Sequence, residues 1–173
     1  MKVSVVIPAL NEEADIGKCL ESIRRQDQEV ELIVIDNGSV DHTPEIAGEH
    51  CDRIFIKPGY SLAEMRDLGA REAAGEIIVT TDADCVAPEG WINALVKPFD
   101  DPKVVAVGGG IRPVNRNALS RFYCWMSALV QGFLGLFQGA NMAYRKDAYL
   151  KSPGYAEAKR AEIAKKEKAR ENQ

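Results

Sequence analysis

The chain has 173 residues, of which 46% are hydrophobic and 28% charged, and its formal net charge is -4. These values are typical of an ordinary globular domain that is long enough to bury a core. We do not expect nucleic acid as a partner, because phosphate backbones are bound by clustered Lys and Arg side chains. The four cysteines form no CxxC pair, which disfavours a zinc site. Their scattered positions do not indicate a secreted disulfide scaffold, and four free thiols favour a reducing cytoplasm.

Short apolar runs alternate with amphipathic stretches over the first two-thirds of the chain. This alternation predicts an α/β fold, in which helices flank a mostly parallel sheet. Apolar and β-branched runs predict strands at residues 2–8, 30–36, 51–57, 76–81, 104–107 and 140–144. Helical spacing and start signals predict helices at about residues 12–26, from residue 43, at 61–74 and at 88–99.

Two of these helices carry recognisable N-terminal signals. Thr43 is the predicted N-cap of the second helix, with Pro44 at the first helical position. Ser61 and Glu64 have the spacing of a capping box. The first helix is predicted to bury one face, because apolar residues recur at helical spacing at Ile16, Cys19, Leu20 and Ile23.

Two later segments differ from the strand–helix pattern. Residues 122–137 are strongly apolar but fall short of the ~20 residues that a membrane-spanning helix needs. We predict a buried or amphipathic helix there; the alternative is a helix on the bilayer surface or an apolar acceptor wall. Residues 156–173 consist mainly of Ala, Lys, Arg and Glu, which indicates a solvated helix or a disordered end. We therefore divide the chain into a domain, 1–155, and a tail, 156–173.

Acidic side chains follow three of the predicted strands. Glu12 comes after the first strand, Asp36 ends the second, and Asp82 and Asp84 follow the fourth. In doubly wound sheets, ligands bind beyond the carboxyl ends of the strands. A single acidic residue at a strand end is more often a turn or cap residue, but three such strand ends together favour a binding site.

The Asp82-Ala83-Asp84 motif is the sharpest of these signals. Two carboxylates one residue apart at a strand end can share a hard divalent cation, and Mg²⁺ or Mn²⁺ commonly completes its shell with water and substrate phosphates. A GxGxxG turn after the first strand is absent, which disfavours a Rossmann dehydrogenase, and a Walker A loop is absent too. The motif therefore predicts a metal site that binds a phosphorylated ligand.

Three segments together resemble a known family. VSVVIPALNEE, VIDNGSVDHT and RDLGAREAAGEIIVTTDADCVAP resemble, in order and spacing, the GT-A domain of glycosyltransferase family 2. The resemblance covers roughly residues 1–155. It implies transfer of a sugar from a nucleotide diphosphate sugar, with inversion, to an unidentified glycan or lipid-phosphate acceptor, with Mg²⁺ or Mn²⁺ as cofactor.

The resemblance also implies roles for matching positions. Asp84 would ligate the metal and Asp82 would share it or face the ribose, while Asp36 would hydrogen-bond the base. The full set implied to bind the nucleotide-sugar is Pro8, Leu10, Glu12, Asp36, Arg66, Asp82, Ala83 and Arg112. Two alternatives stay open: Arg66 could form a surface ion pair with Glu64 or Asp67, and Gly109 to Pro113 could be a simple turn. Asn141 and Arg145 are expected to face the acceptor side of the cleft.

The sequence offers no convincing catalytic base. Residues 152–157 begin like the family segment that precedes the base, but the chain then departs into the charged tail, and Glu157 is a poor candidate. We expect that the acceptor half is missing from this chain. The alternatives are an acceptor such as a lipid phosphate, which is already an anion and needs no base, or a domain that binds donor without efficient transfer.

We therefore expect a glycosyltransferase domain in the cytoplasm, or at the inner face of the membrane. The main rival is a donor-binding module with impaired transfer. A two-carboxylate phosphotransfer domain is disfavoured, because it needs an acidic pair after the first strand, where Pro8-Ala9-Leu10 stands instead.

Overall fold

The computed structural model describes residues 1–112, 139–154 and 157. Within these residues, strands and helices alternate as predicted up to α4. In chain order the elements are β1 (Val3–Ala9), α1 (Ile16–Arg24), β2 (Glu31–Asp36), α2 (Thr43–His50), β3 (Arg53–Ile56), α3 (Leu62–Glu72), β4 (Ile77–Thr81), α4 (Trp91–Val96), a 3₁₀ helix (Lys97–Asp100), β5 (Ala106–Gly108), β6 (Asn141–Arg145) and α5 (Lys146–Lys151).

The strands form one six-stranded sheet in the order β3-β2-β1-β4-β6-β5. Strands β1 to β4 are mutually parallel, whereas β6 runs antiparallel to both β4 and β5. Ala9 pairs with Asp36, and Thr81 pairs with Asn141. The carboxyl ends of β2, β1 and β4 and the first residue of β6 therefore lie at one edge of the sheet. This arrangement confirms the mostly parallel α/β class.

Largely apolar strands place the core on both faces of the sheet. Every residue of β1 and of β4 is buried, as expected for central strands covered by helices on both sides. Val5 and Ile7 pack with α1 and α4, whereas Val6 packs with α3 on the opposite face. Burying a Val or Ile side chain contributes about 1.5–3 kcal/mol, so these strands rigidly hold the loops that follow them.

The ends of three helices agree with the sequence predictions to different degrees. The capping box of α3 is confirmed, since Ser61 and Glu64 bond each other's backbone as that motif requires. Thr43 lies inside α2 rather than at its N-cap, and its hydroxyl donates to the carboxylate of Asp41. Helix α4 is shorter than predicted and tightens into the 3₁₀ helix, where Pro98 lacks the N–H that an α-helix needs.

Two predictions fall outside the described residues: the helix at residues 122–137 and, apart from Glu157, the tail at 156–173. Among the helices of the described segments, none combines the length and apolarity needed to cross a bilayer.

Candidate active site

The loops after β1 and β2 are bonded directly to each other. Asn11 adopts a φ of 54°, which Asn tolerates better than most residues. Its backbone N–H donates to Ser39 Oγ at 2.8 Å, and its Oδ1 accepts from the N–H of Val40 at 2.9 Å. The N–H of Glu12 donates to Thr43 Oγ1 at 2.7 Å. These contacts fix Glu12 at the edge of the sheet.

Asp36 lies at the end of β2 and is fully buried. Its Oδ2 accepts from the N–H groups of Gly38 and Ser39 at 2.8 and 2.9 Å, and its Oδ1 accepts from the Ser39 hydroxyl. The carboxylate therefore holds its own turn together. Three of the about four acceptor sites of this carboxylate are thereby occupied, and its contact with a base stays a prediction.

The Asp82-Ala83-Asp84 motif follows β4 and presents its two carboxylates differently. Asp82 has a side chain that is 39% exposed, and its Oδ1 accepts from Nη2 of Arg66 at 2.8 Å. Ala83 is buried, whereas Asp84 is exposed. The alternative of a surface ion pair between Arg66 and Glu64 or Asp67 is wrong, because Arg66 is buried and its ion-pair partner is Asp82.

A cavity of about 740 Å³ opens beside Asp84. Its described lining is Thr81, Asp84, Cys85, Val86, Ala87, Pro88, Trp91, Gly110, Ile111, Arg112, Ala140 and Asn141. Asn141 joins two walls, since its Oδ1 accepts from the Trp91 indole N–H at 2.9 Å and its Nδ2 donates to the Gly110 carbonyl at 2.9 Å. The predictions that Asn141 faces the cleft and that Arg112 lies at the site are thus consistent with this geometry.

Arg145 does not face the cleft, and that expectation is wrong. Because β6 is antiparallel, its last residue pairs with Ile77 at the opposite edge of the sheet from Asp84. There the Arg145 guanidinium donates to the carbonyls of Phe99, Val104 and Asp101 and lies 5.3 Å from the centroid of the Phe99 ring. Its role is to tie the 3₁₀ helix to the sheet.

Negative charge is concentrated at this edge. Burial raises the pKa of Glu12 above its ordinary value, and the carboxylates of Asp84, Asp15, Asp41 and Asp82 raise it further. Burial also raises the pKa of the Cys19 thiol to about 12, with smaller contributions from Cys85 and the two aspartates of the motif. A site with this excess of negative charge is suited to a cation.

The motif offers a partial coordination shell for such a cation. Among the described residues, no group of three or more His, Cys, Asp and Glu side chains is arranged to hold a metal. Two carboxylates with exposed surface, of which Asp84 lines the cavity, nevertheless fit Mg²⁺ or Mn²⁺. These cations are often held by one or two carboxylates plus water and substrate phosphates. The residues present therefore fit a divalent cation that binds together with a phosphorylated ligand.

The other predicted site residues differ in how exposed they are. Pro8 is buried at the end of β1, and Leu10 is 45% exposed on the loop beyond it. Glu157 is exposed and is not among the described residues that line the cavity. Trp91 also lines the cavity, although its spacing with Leu95 and Phe99 in the sequence indicates only a core-facing stripe. Gly139 lies against Arg66 of α3, a contact that has no local signal in the sequence.

The family model described as "Glycosyl transferase family 2" matches residues 4–153. The chain belongs to glycosyltransferase family 2. A curated relative, the undecaprenyl-phosphate 4-deoxy-4-formamido-L-arabinose transferase of Proteus mirabilis, is 35% identical over 111 residues, which are 58% of this chain and 34% of the relative. The chain thus spans about a third of the length of that relative.

Solved structures confirm the GT-A fold. The mannosyltransferase from Pyrobaculum calidifontis in complex with GDP-Man and Mn²⁺ matches with a TM-score of 0.72 and 24% identity, over 88% of this chain and 47% of that one. The glucosyl-3-phosphoglycerate synthase from Mycobacterium tuberculosis, in complex with Mn²⁺, UDP and glucosyl-3-phosphoglycerate, matches with a TM-score of 0.62 and 26% identity, over 86% and 58%.

Proposed function

We propose that this domain binds a nucleotide diphosphate sugar together with Mg²⁺ or Mn²⁺ and transfers the sugar with inversion. The observation that carries the proposal is Asp84, an exposed carboxylate on the wall of the cavity, directly beyond the parallel strand β4. The Mn²⁺ and UDP named for the M. tuberculosis synthase support the same ligand class here.

Each part of the donor would meet a different group of residues. Asp84 and the oxygen of Asp82 that does not contact Arg66 would hold the cation, and the exposed guanidinium of Arg112 would face the phosphates across the cavity. The cation, when bound, would act as a Lewis acid that offsets charge on the departing nucleoside diphosphate. The nucleoside pocket would be formed at the ends of β1 and β2, by Pro8, Leu10, Glu12 and Asp36.

The acceptor would approach through the same cavity. Asp84 is the only carboxylate among the described lining residues, so this part of the cavity supplies no separate base. An acceptor that is already an anion needs no base, and the Proteus mirabilis relative is named for undecaprenyl phosphate. We therefore propose a lipid phosphate as acceptor, which would place the reaction at the cytoplasmic face of a membrane.

A second candidate function is a donor-binding module without transfer. The same observation favours it, because the described lining offers no general base to a neutral acceptor such as a glycan hydroxyl. Incubating the chain and Mn²⁺ with nucleotide-sugars and measuring released nucleoside diphosphate, with and without undecaprenyl phosphate, separates the two functions. Release that depends on the lipid supports transfer, whereas donor binding without release supports the module.

Donor binding is tested by calorimetric titration of UDP and GDP in the presence and absence of Mn²⁺. The native chain should bind one of the two only with the metal, and Asp84→Ala should lose that binding while its melting temperature changes little. Asp147→Ala is the matched control, since Asp147 is an exposed aspartate on α5 whose ion-pair partner is Lys151. Unchanged affinity in Asp84→Ala would refute the assignment of the cation to this motif.

A further inference from the structure

Helix α3 lies unusually close to the sheet. A Cβ atom at Gly69 would come within 2.2 Å of Val6 Cγ1, so the absence of a side chain there permits direct contact between helix and strand. The capping box fixes the first turn of the helix, and Lys146 Nζ donates to the carbonyls of Arg71 and Ala73 at its end. Arg66, one turn before Gly69, is therefore held by a rigid helix.

The Arg66 guanidinium is confined between a carboxylate and a glycine. Its Nη2 donates to Asp82 Oδ1 at 2.8 Å. On its other side, a Cβ atom at Gly139 would lie 2.3 Å from Nη1 and 2.5 Å from Cζ, so the guanidinium packs directly against the backbone before β6. Thr80 helps to fix that backbone, because its hydroxyl donates to the Gly139 carbonyl at 2.6 Å.

Burial distinguishes the two partners of this ion pair. The Arg66 side chain is 11% exposed and the Asp82 side chain 39% exposed, and Arg66 is not among the residues that line the cavity. The backbone of Asp82 is held independently, since its carbonyl accepts from the N–H of Cys85 at 3.2 Å and from the Cys19 thiol. The ion pair with Arg66 is thus a contact that can fix the orientation of the Asp82 carboxylate.

We propose that Arg66 is a positioning residue that acts through Asp82, and that Gly139 is the surface against which it is held. By engaging one carboxylate oxygen, Arg66 leaves the other directed to the ligand. The planar guanidinium matters here, because a lysine ammonium lacks the flat face that packs against the glycine. The proposed positioning role rests on the proposed function only where the test measures ligand binding.

Two variants perturb the pair from opposite sides. Arg66→Lys keeps the charge but removes the planar group, and Gly139→Ala keeps the arginine but displaces it. Each should weaken Mn²⁺-dependent nucleotide affinity about tenfold, within the range of coupling between contacting residues. Gly48→Ala on α2 is the matched glycine control, because a Cβ atom there meets nothing within 4 Å, and it should leave affinity unchanged.

A double-mutant cycle separates positioning from direct contact with the nucleotide. If Arg66 acts through Asp82, then Arg66→Lys should change affinity less than about twofold in a chain that already carries Asp82→Asn. A purely structural arginine would change the melting temperature without this dependence on Asp82. If the tenfold loss persists in the Asp82→Asn background, then Arg66 contacts the ligand itself and the proposal is overturned.

A structural readout tests the inference without any ligand. Crystal structures of the native chain, Arg66→Lys and Gly139→Ala should show the Asp82 carboxylate rotated in the two variants and unchanged in Gly48→Ala. An Asp82 carboxylate that keeps its orientation after the guanidinium has moved would overturn the positioning role. If the native chain binds no nucleotide, the proposed function fails by that result alone, and the orientation of Asp82 still decides this inference.

Discussion

Asp36 and Asp84 are the same residue type at the same edge of one sheet, but their surroundings are opposite. Asp36 is fully buried, and three donors from the following turn engage its two oxygens. Asp84 is exposed and lines the cavity, and its described hydrogen bond comes from the weak thiol donor of Cys85 at 3.6 Å. The difference shows that an acidic strand end can either organise its own loop or remain available to a ligand.

We therefore expect the loop after β2 to contribute mainly to stability, and we propose that the loop after β4 contributes to cation binding. In the first, side chains from two loops satisfy each other, as Asn11 does with Ser39 and Val40. In the second, carboxylates are left close to one another, which is unfavourable until a cation is present. Stability measurements and binding measurements should consequently respond to different substitutions.

The largest effect on stability is expected from Asp36→Ala. This change leaves two partly buried N–H groups and a hydroxyl without their acceptor, and a fully buried unpaired group costs about 1–3 kcal/mol. We expect a loss of about 3 kcal/mol in the free energy of unfolding, measured by urea denaturation. Asp84→Ala is the matched comparison and should change it by less than about 0.5 kcal/mol. Equal losses in the two variants would remove the distinction between the loops.

A smaller effect is expected from Glu12→Gln and should depend on pH. The pKa of Glu12 in the folded protein is raised above its ordinary value of 4.5, so the folded state holds that proton more tightly than the unfolded chain. The stability that this protonated carboxyl contributes is therefore present below the pKa of the unfolded chain and is lost as pH rises through the higher pKa of the folded protein. The variant should melt at a higher temperature than the native chain at about pH 7, and the gain should disappear below about pH 4.

Melting curves recorded between about pH 4 and about pH 7 test whether Glu12→Gln raises or lowers the melting temperature relative to the native chain. A variant that melts at a lower temperature at neutral pH would mean that Glu12 is stabilised by partners rather than strained by its neighbours. Repeating the comparison in Asp84→Ala sharpens it, because Asp84 is the largest of the charged contributors to the raised pKa of Glu12. The gain from Glu12→Gln should be smaller in that background.

The smallest effect concerns two thiols near the motif. Cys19 is buried with a pKa of about 12, so it should not react with a disulfide reagent at about pH 8, where the thiolate is the reactive form. Cys85 has a raised pKa but lines the cavity, so it should react slowly, and UDP or GDP with Mn²⁺ should slow it further. Site-resolved mass spectrometry measures the labelling of both thiols. If the ligand does not change the labelling of Cys85, the cavity is not the nucleotide-binding site.

Much of the fold could be predicted from local patterns. The buried strands β1, β2 and β4 have largely apolar and β-branched sequences, and the capping box that starts α3 is visible in four residues. Helix α1 begins at Ile16, later than the start at about residue 12 that the sequence pattern predicts. The reason is non-local, because the backbone N–H groups of Asn11 and Glu13 bond to the loop after β2 and that of Glu12 bonds to the first residue of α2, about 30 positions away.

Part of the site could also be predicted from the pattern of strands. Carboxyl ends of parallel strands meet at one edge, so the gathering of Glu12, Asp36 and Asp82 followed from the pattern. The partner of Arg66 did not, because Asp82 is brought to it by the packing of α3 on the sheet. The place of Arg145 could not be predicted, because the antiparallel direction of β6, which carries Arg145 to the far edge of the sheet, has no signal in the five residues of the strand.

We propose that Asp84, and not Asp36, binds the cation. Crystals of the chain soaked with Mn²⁺ and the nucleotide that binds should be measured at the manganese absorption edge. We predict an anomalous peak within coordination distance of the Asp84 carboxylate, about 2.0–2.2 Å, with nucleotide phosphate on its other side. A peak at the loop after β2, or nucleotide bound at the motif with no metal peak, would contradict it.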